Sequence, residues 1–209
     1  MEGPPRPARV GLRVGRWVEA VLRARGHEVT VVDPVDTDLP LLRKPQFAYA
    51  KGRVPAPLDE LAAVIGAADA FVAVSPEYNH SVSPALANTL NHFGSSLFSF
   101  KPSAIVSYSQ GQWGGTRAAL ALRPLLSELG CLPVSAMLHL PRAHTVLDDG
   151  GELVATDEGE RGRWEGYIGR VMGQLEWWGA ACRSHRAAVD PFSDSPAFLS
   201  SPDQRNAPA

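Results

Sequence analysis

Two short stretches of the sequence carry groups suited to gripping a flat, polar ring. Ser75-Pro76-Glu77-Tyr78-Asn79-His80-Ser81 combines a rigid proline, an aromatic side chain and a run of backbone amides. Such amides can meet carbonyl and ring-nitrogen acceptors while Tyr78 covers a π face. The second stretch, Ser107-Tyr108-Ser109-Gln110-Gly111-Gln112-Trp113-Gly114-Gly115, contains three glycines, which let its backbone come close to a ligand. Together they predict two walls of one crevice for a heteroaromatic ligand. Rival chemistries are poorly supplied. Ser107-Tyr108-Ser109-Gln110-Gly111 loosely follows a hydrolase nucleophile turn with Ser109 at its tip, but the first glycine of that turn is missing. Its acid and base would have to be Asp148 or Asp149 with His185, at the edge of the tail that composition predicts. The six histidines and two cysteines show no zinc spacing, so no metal site is expected. Neither a Walker loop nor a G-x-G-x-x-G fingerprint occurs.

These stretches need elements to position them. Residues 10–25 place Val10, Val14, Trp17, Val18, Val21 and Leu22 at helical spacing, and Gly26 follows as a stop. The β-branched run 28–32 predicts a strand, and residues 36–57, rich in Pro, Lys and Arg, predict a long connection or lid-like loop. A helix is expected over 58–67 and a strand buried on both faces over 70–74. Ser83-Pro84 then opens a helix through Phe93. The unit recurs as a strand over 103–107, a glycine-rich loop over 107–115, a helix over 116–129 closed by Gly130, and a strand over 131–138. After a turn at 148–151, a last helix is expected over 158–183. Alternating strands and helices predict an α/β fold with a parallel sheet covered on both faces, whose ligands bind at the carboxyl ends of the strands. Both candidate stretches directly follow strands.

Composition limits the partners. With 20 basic side chains against 22 acidic ones in 209 residues, no general attraction to nucleic acid or to anionic lipid is expected, and the arginines are scattered. No apolar run approaches the ~18 residues of a membrane helix. Two cysteines are too few for a disulfide scaffold, so a cytoplasmic protein is predicted. One domain is expected over 1–183, with a Pro- and Ser-rich, disordered tail over 184–209.

Pro76-Glu77-Tyr78-Asn79 with Ser81 and Pro84, Lys101-Pro102, and Gly114-Gly115 with Arg117-Ala118 together make the chain resemble the NADPH-dependent FMN reductases of the flavodoxin-like fold, which include quinone, azo-dye and chromate reductases. The resemblance covers residues 3–182. It implies a flavodoxin-like three-layer sandwich, FMN as cofactor, NADPH or NADH as hydride donor, and a small-molecule electron acceptor. It also implies a homodimer or homotetramer, for which Trp113, Trp177 and Trp178 are the interface candidates. Pro76, Glu77, Tyr78, Asn79 and His80 would hold the isoalloxazine ring through backbone contacts, with Ser107, Tyr108, Ser109, Gly111, Gly114 and Gly115 on its other side. No catalytic side chain is implied, because hydride transfer is the flavin's chemistry. The family's phosphate loop falls on Gly3-Pro4-Pro5-Arg6-Pro7-Ala8-Arg9, where Arg6 and Arg9 would meet a phosphate at the first helix. Three prolines there lack an N–H, and only Met1 and Glu2 precede Gly3, so the first strand of the sheet is expected to be missing or truncated. Those departures carry a second expectation, a truncated, non-catalytic flavodoxin-like module that does not retain flavin.

Overall fold

In a computed structural model, residues 9–50, 52–155 and 157–194 are described. The expected alternation forms. Helix α1 (Val10–Ala24) is followed by α2 (Ala56–Ala67), strand β1 (Phe71–Tyr78), β2 (Ser81–Val82), α3 (Pro84–Asn91), β3 (Pro102–Tyr108), α4 (Thr116–Glu128), β4 (Leu132–Leu140) and the long α5 (Glu158–Ala188). The sheet order is β2-β1-β3-β4, with β1, β3 and β4 parallel and β2 antiparallel to β1.

β3 shows why the sheet lies in the middle of the molecule. Its residues from Pro102 to Ser107 are all buried, and alternation sends successive side chains to opposite faces. Ala104 and Val106 join a core with Val14, Trp17 and Val18 of α1 and Ile168, Met172 and Leu175 of α5. Ile105 faces the other way, against Leu58 and Leu61 of α2 and Leu122 and Leu126 of α4. Two separate cores on one sheet make the three-layer α/β sandwich. The start of β3 is fixed by Lys101. Its buried ammonium donates to the carbonyls of Ile65 (3.0 Å), Gly66 (2.7 Å) and Leu97 (2.9 Å), tying β3 to the end of α2 and to the turn before it. Burial lowers the Lys101 pKa to about 8.

Several expectations need correction. Residues 28–32 form no strand. Val29 packs on the α1 core, but the run has no ladder partner among the described residues, and Val31 and Val32 are left exposed. The cause is visible beside β1. On the side away from β3 its backbone pairs only with β2, through Glu77 and Tyr78, so Phe71–Pro76 has no neighbouring strand there among the described residues. A β-branched run without a ladder to join remains an irregular segment. Of the two expectations for residues 36–57, the long connection is what forms, and its described part is tied down on α3. Asn88 Nδ2 donates to the Pro40 carbonyl (3.0 Å) and its Oδ1 accepts from the Leu42 amide (2.9 Å), while Gln46 N–H donates to the His92 carbonyl (2.7 Å). β1 extends past the expected 70–74, so Pro76, Glu77 and Tyr78 lie in the strand itself. Finally, α5 continues beyond Arg183 to Ala188, followed by a helical turn at Pro191–Asp194. Its end is held by Arg186, which donates to Asp69 (2.6 Å) and to the Phe100 carbonyl (2.8 Å).

No helix of the described residues is long and apolar enough to cross a membrane. Among the described residues no three His, Cys, Asp or Glu side chains gather as a metal site would require.

Candidate functional site

The register of β1 on β3 sets Ser75 opposite Ser107 and Pro76 opposite Tyr108, so the two predicted stretches emerge side by side at the carboxyl end of the sheet. The first turns back immediately. Tyr78 pairs with Ser81, and Asn79 (φ 49°) and His80 (φ 62°) between them both adopt left-handed backbone, as a two-residue hairpin of the primed type requires. Neither residue is glycine, so this turn is held in a less populated conformation. Its base is closed by Ser75, whose hydroxyl donates to the Pro76 carbonyl (2.8 Å) and accepts from the Ser83 amide (3.1 Å). Tyr78, Asn79 and His80 form the exposed tip.

The second stretch folds down onto β3 and β4. A Cβ on Gly115 would lie 2.8 Å from the Tyr108 backbone N and O, and one on Gly114 would lie 3.1 Å from the backbone of His139 and Leu140. Both residues also have positive φ, so glycine is required twice over. The Ser107 hydroxyl donates to the Gly114 carbonyl (2.8 Å) and lies 2.8 Å from His139 Nδ1. Burial lowers the pKa of that imidazole. Ser109 Oγ accepts from the Gly114 amide (2.9 Å) and donates to the Gly111 carbonyl (2.9 Å). Both hydroxyls are thus committed to shaping the loop. Among the described residues no histidine hydrogen-bonds Ser109, and His139 bonds instead to the fully buried Ser107, so no nucleophile–base pair is formed at Ser109.

The loops are joined by an ion pair across 40 residues of sequence. Glu77 Oε1 accepts from Arg117 Nη1 (2.5 Å), and its Oε2 accepts from the Arg117 amide in the first turn of α4 (3.0 Å). Burial alone would raise the Glu77 pKa, but the hydrogen bonds from the Arg117 side chain and amide, its charge, and the Ala118 amide outweigh burial and hold the carboxyl below the usual range. Arg117 in turn sits 5.4 Å from the centre of the exposed Trp113 ring. The Glu77 carboxylate is therefore turned to α4.

The crest still presents free donors. The backbone N–H groups of Asn79, His80, Gly111, Gln112 and Trp113 make no hydrogen bond among the described residues. Those of Asn79 and His80 directly follow the exposed Tyr78, and those of 111–113 lie in the loop after β3, so each stretch offers donors to a flat heterocycle with several acceptors. Tyr108, at the end of β3, reaches the neighbouring helix, and a Cβ on Gly11 would meet its hydroxyl at 2.5 Å. Burial raises the Tyr108 pKa to about 12, with Tyr78 and Asp33 adding to the rise and Arg9 opposing it.

The far end of the site is α1. Its first turn has no side-chain N-cap and no acidic residue, leaving orphan amides suited to an anion. Arg6 lies outside the described residues. Arg9 stands at the N-cap but donates to Asp33 (2.7 Å). Burial would raise Asp33, but the Val35 amide and Arg9 hold its carboxyl below the usual range. The structure thus brings Pro76, Glu77, Tyr78, Asn79, His80, Ser107, Tyr108, Ser109, Gly111, Gly114 and Gly115 to one crest, with Arg9 at the neighbouring helix. Sequence reasoning did not find the roles of His139 and Asp33, which only strand register and chain return place here. For Arg117 the sole signal was its position after Gly114-Gly115.

Residues 2–145 match the model of a protein family described as NADPH-dependent FMN reductase. A quinone reductase of Pseudomonas putida is 36% identical over 91 residues, 41% of this chain and 48% of that protein. An NAD(P)H-dependent FMN reductase of Pseudomonas aeruginosa is 34% identical over 110 residues, 51% of this chain and 59% of that protein. The chain thus spans about half the length of the curated relatives it matches. The solved structure of FerB, a flavoenzyme NAD(P)H:(acceptor) oxidoreductase from Paracoccus denitrificans, superposes with a TM-score of 0.67 over 83% of this chain and 93% of that one. At 22% identity this likeness is one of fold.

Proposed function

Because the chain belongs to the NADPH-dependent FMN reductase family, we propose that it binds FMN along the crest and passes electrons from NAD(P)H to a small-molecule acceptor such as a quinone, a free flavin or an azo dye. The observation that carries this reading is the set of free amides at 79–80 and 111–113, on two loops that leave the same end of the sheet, with Tyr78 exposed on the first. The bound flavin would supply the hydride chemistry. The protein's part is placement. Asn79, His80 and the 111–113 backbone would donate to the ring, Tyr78 would cover one face, and the ordered turns would keep these groups in position before the ligand arrives. The orphan amides of α1, with Arg9 and Arg6, would take the phosphate. Arg9 would then exchange its bond to Asp33 for one to the ligand. Trp113, Trp177 and Trp178, all exposed, are the candidates for contact with a second copy in a homodimer or homotetramer.

A second reading has its own observation. Arg9 is already paired with Asp33, and the run 28–32, which has no ladder partner among the described residues, lies directly before that aspartate. This favours a module that does not retain flavin. One experiment separates the two. Purified protein is incubated with FMN, freed of excess and scanned. An absorption band near about 450 nm that bleaches on anaerobic addition of NADPH supports the reductase. A colourless protein supports the second reading.

A further inference from the structure

Glu77 lies in the motif that marks the ring-binding loop, yet its carboxylate faces α4. Both oxygens are used, one on the Arg117 guanidinium and one on the Arg117 amide, and its side chain is only 10% exposed. The guanidinium spans two partners, Glu77 on one side and the Trp113 ring on the other. Trp113 is 60% exposed. Around it, Thr116 N–H and Oγ1 both bond to its carbonyl (3.2 and 2.7 Å), which fixes its backbone. The Arg117 guanidinium lies over the indole face, 5.4 Å from its centre. A cation lying over an aromatic face is attracted by the ring quadrupole, and a charge-assisted, two-point carboxylate contact keeps that cation in place.

We propose that Glu77 is a positioning residue that acts through Arg117 to set the orientation of Trp113, and that the oriented indole is a gripping surface for the ring of a flat aromatic ligand. The proposal rests on the flavin reading above for the identity of that ligand. Its content is an energetic link between Glu77 and Trp113, side chains that share no bond.

Riboflavin is the probe of choice, because it has the ring of FMN and no phosphate and so reports on the crest alone. Glu77→Gln keeps the shape of the side chain and removes its charge. We expect Glu77→Gln and Trp113→Ala each to weaken riboflavin binding about tenfold, and the double variant to lose little more than either single one, since both remove the same contact. Multiplying effects, about a hundredfold in the double variant, would overturn the link. A second readout is independent of any ligand. In protein labelled with 5-fluorotryptophan, the Trp113 resonance is identified by its loss in Trp113→Phe. We expect that resonance to shift and sharpen in Glu77→Gln, while those of the buried Trp17 and of Trp164 stay in place and show the fold intact. An unmoved Trp113 resonance would overturn the proposal even if the wild-type chain bound no flavin. Wild-type protein that binds neither riboflavin nor FMN, with the Trp113 resonance still responding to Glu77→Gln, would leave the positioning role standing and overturn the flavin reading alone.

Discussion

The ring half and the phosphate half of the candidate site are built from different kinds of constraint. The ring half is over-determined. Two strands in register, two glycines pressed on neighbouring backbone, three serine hydroxyls and one half-buried ion pair all fix the same crest. Among the described residues the phosphate half offers a helix terminus without a side-chain cap and one ion pair whose arginine is half exposed. The sheet repeats this contrast. On β4, where the ladder to β3 skips from Pro133 to Met137, side chains take up the backbone groups, with Gln174 Oε1 accepting from the Ala136 amide (2.8 Å) and Arg123 donating to the Val134 and Ser135 carbonyls (2.9 and 3.1 Å). The outer edge of β1, on the phosphate side, has no such cover over Phe71–Pro76 among the described residues. If the crest holds a ring and the start of α1 an anion, as proposed, the first grip is the more firmly fixed among the described residues, because the two depend on different neighbours.

The largest effect should come from breaking the ring half. Gly115→Val puts a branched side chain into left-handed backbone and into the Tyr108 main chain. We expect it to lower unfolding stability by about 2–4 kcal/mol in urea denaturation and to abolish riboflavin binding. A variant as stable as wild type would show that the loop is not pressed on β3 as described.

pH gives a gentler way to loosen the same half. The folded pKa of Glu77 lies below its value in an unfolded chain, near 4.5. Its contribution to stability is thus complete above that value and is lost as pH falls through the lowered folded value. Wild type and Glu77→Gln should differ most above pH 4.5 and converge as pH falls below it. Other paired carboxylates, such as Glu176, whose hydrogen bonds from Arg25 and His27 hold it at about 2, occur in both proteins and cancel in the difference. A gap that stays constant over that range would remove Glu77 as an ionised partner of Arg117.

Much of this contrast could be read in the residues. The apolar runs within β1 and β3 and the helical spacing of α1 and α5 are local patterns, so the sheet and its helices were legible, as were the two stretches at its carboxyl end. What was not legible depends on partners distant in sequence. The run 28–32 has the composition of a strand, but ladder formation requires a neighbour that no local pattern supplies. Glu77 meets Arg117, and Ser107 meets His139, only because parallel strands stand in register. Tyr78 reads as a loop residue after Ser-Pro, yet β1 runs through that proline, which costs little where the proline N faces no ladder partner.

Hydrogen exchange compares the two sheet edges directly. The Ala136 amide, held by Gln174, should be protected well above the outward-facing amides of Phe71–Ser75. Gln174→Ala should remove most of that difference, while leaving the amides between β1 and β3 unchanged. Slow exchange along the outer edge of β1 would show that this edge is covered in solution.

The smallest effect on the fold, and the most selective for function, belongs to Arg9. Its pair with Asp33 is half exposed on the arginine side, so Arg9→Ala should change stability by less than about 1 kcal/mol. The same change should separate the two halves of the site by ligand. If the phosphate sits at the terminus of α1, FMN binding weakens in Arg9→Ala while riboflavin binding does not, because only FMN has a charge for that end to recognise. The loss should shrink as salt is raised, since an exposed charge pair is screened within about 10 Å at 0.1 M. Equal weakening of both ligands would mean that Arg9 acts through Tyr108 on the ring half, and the division between a rigid grip and a loose one would fall with it.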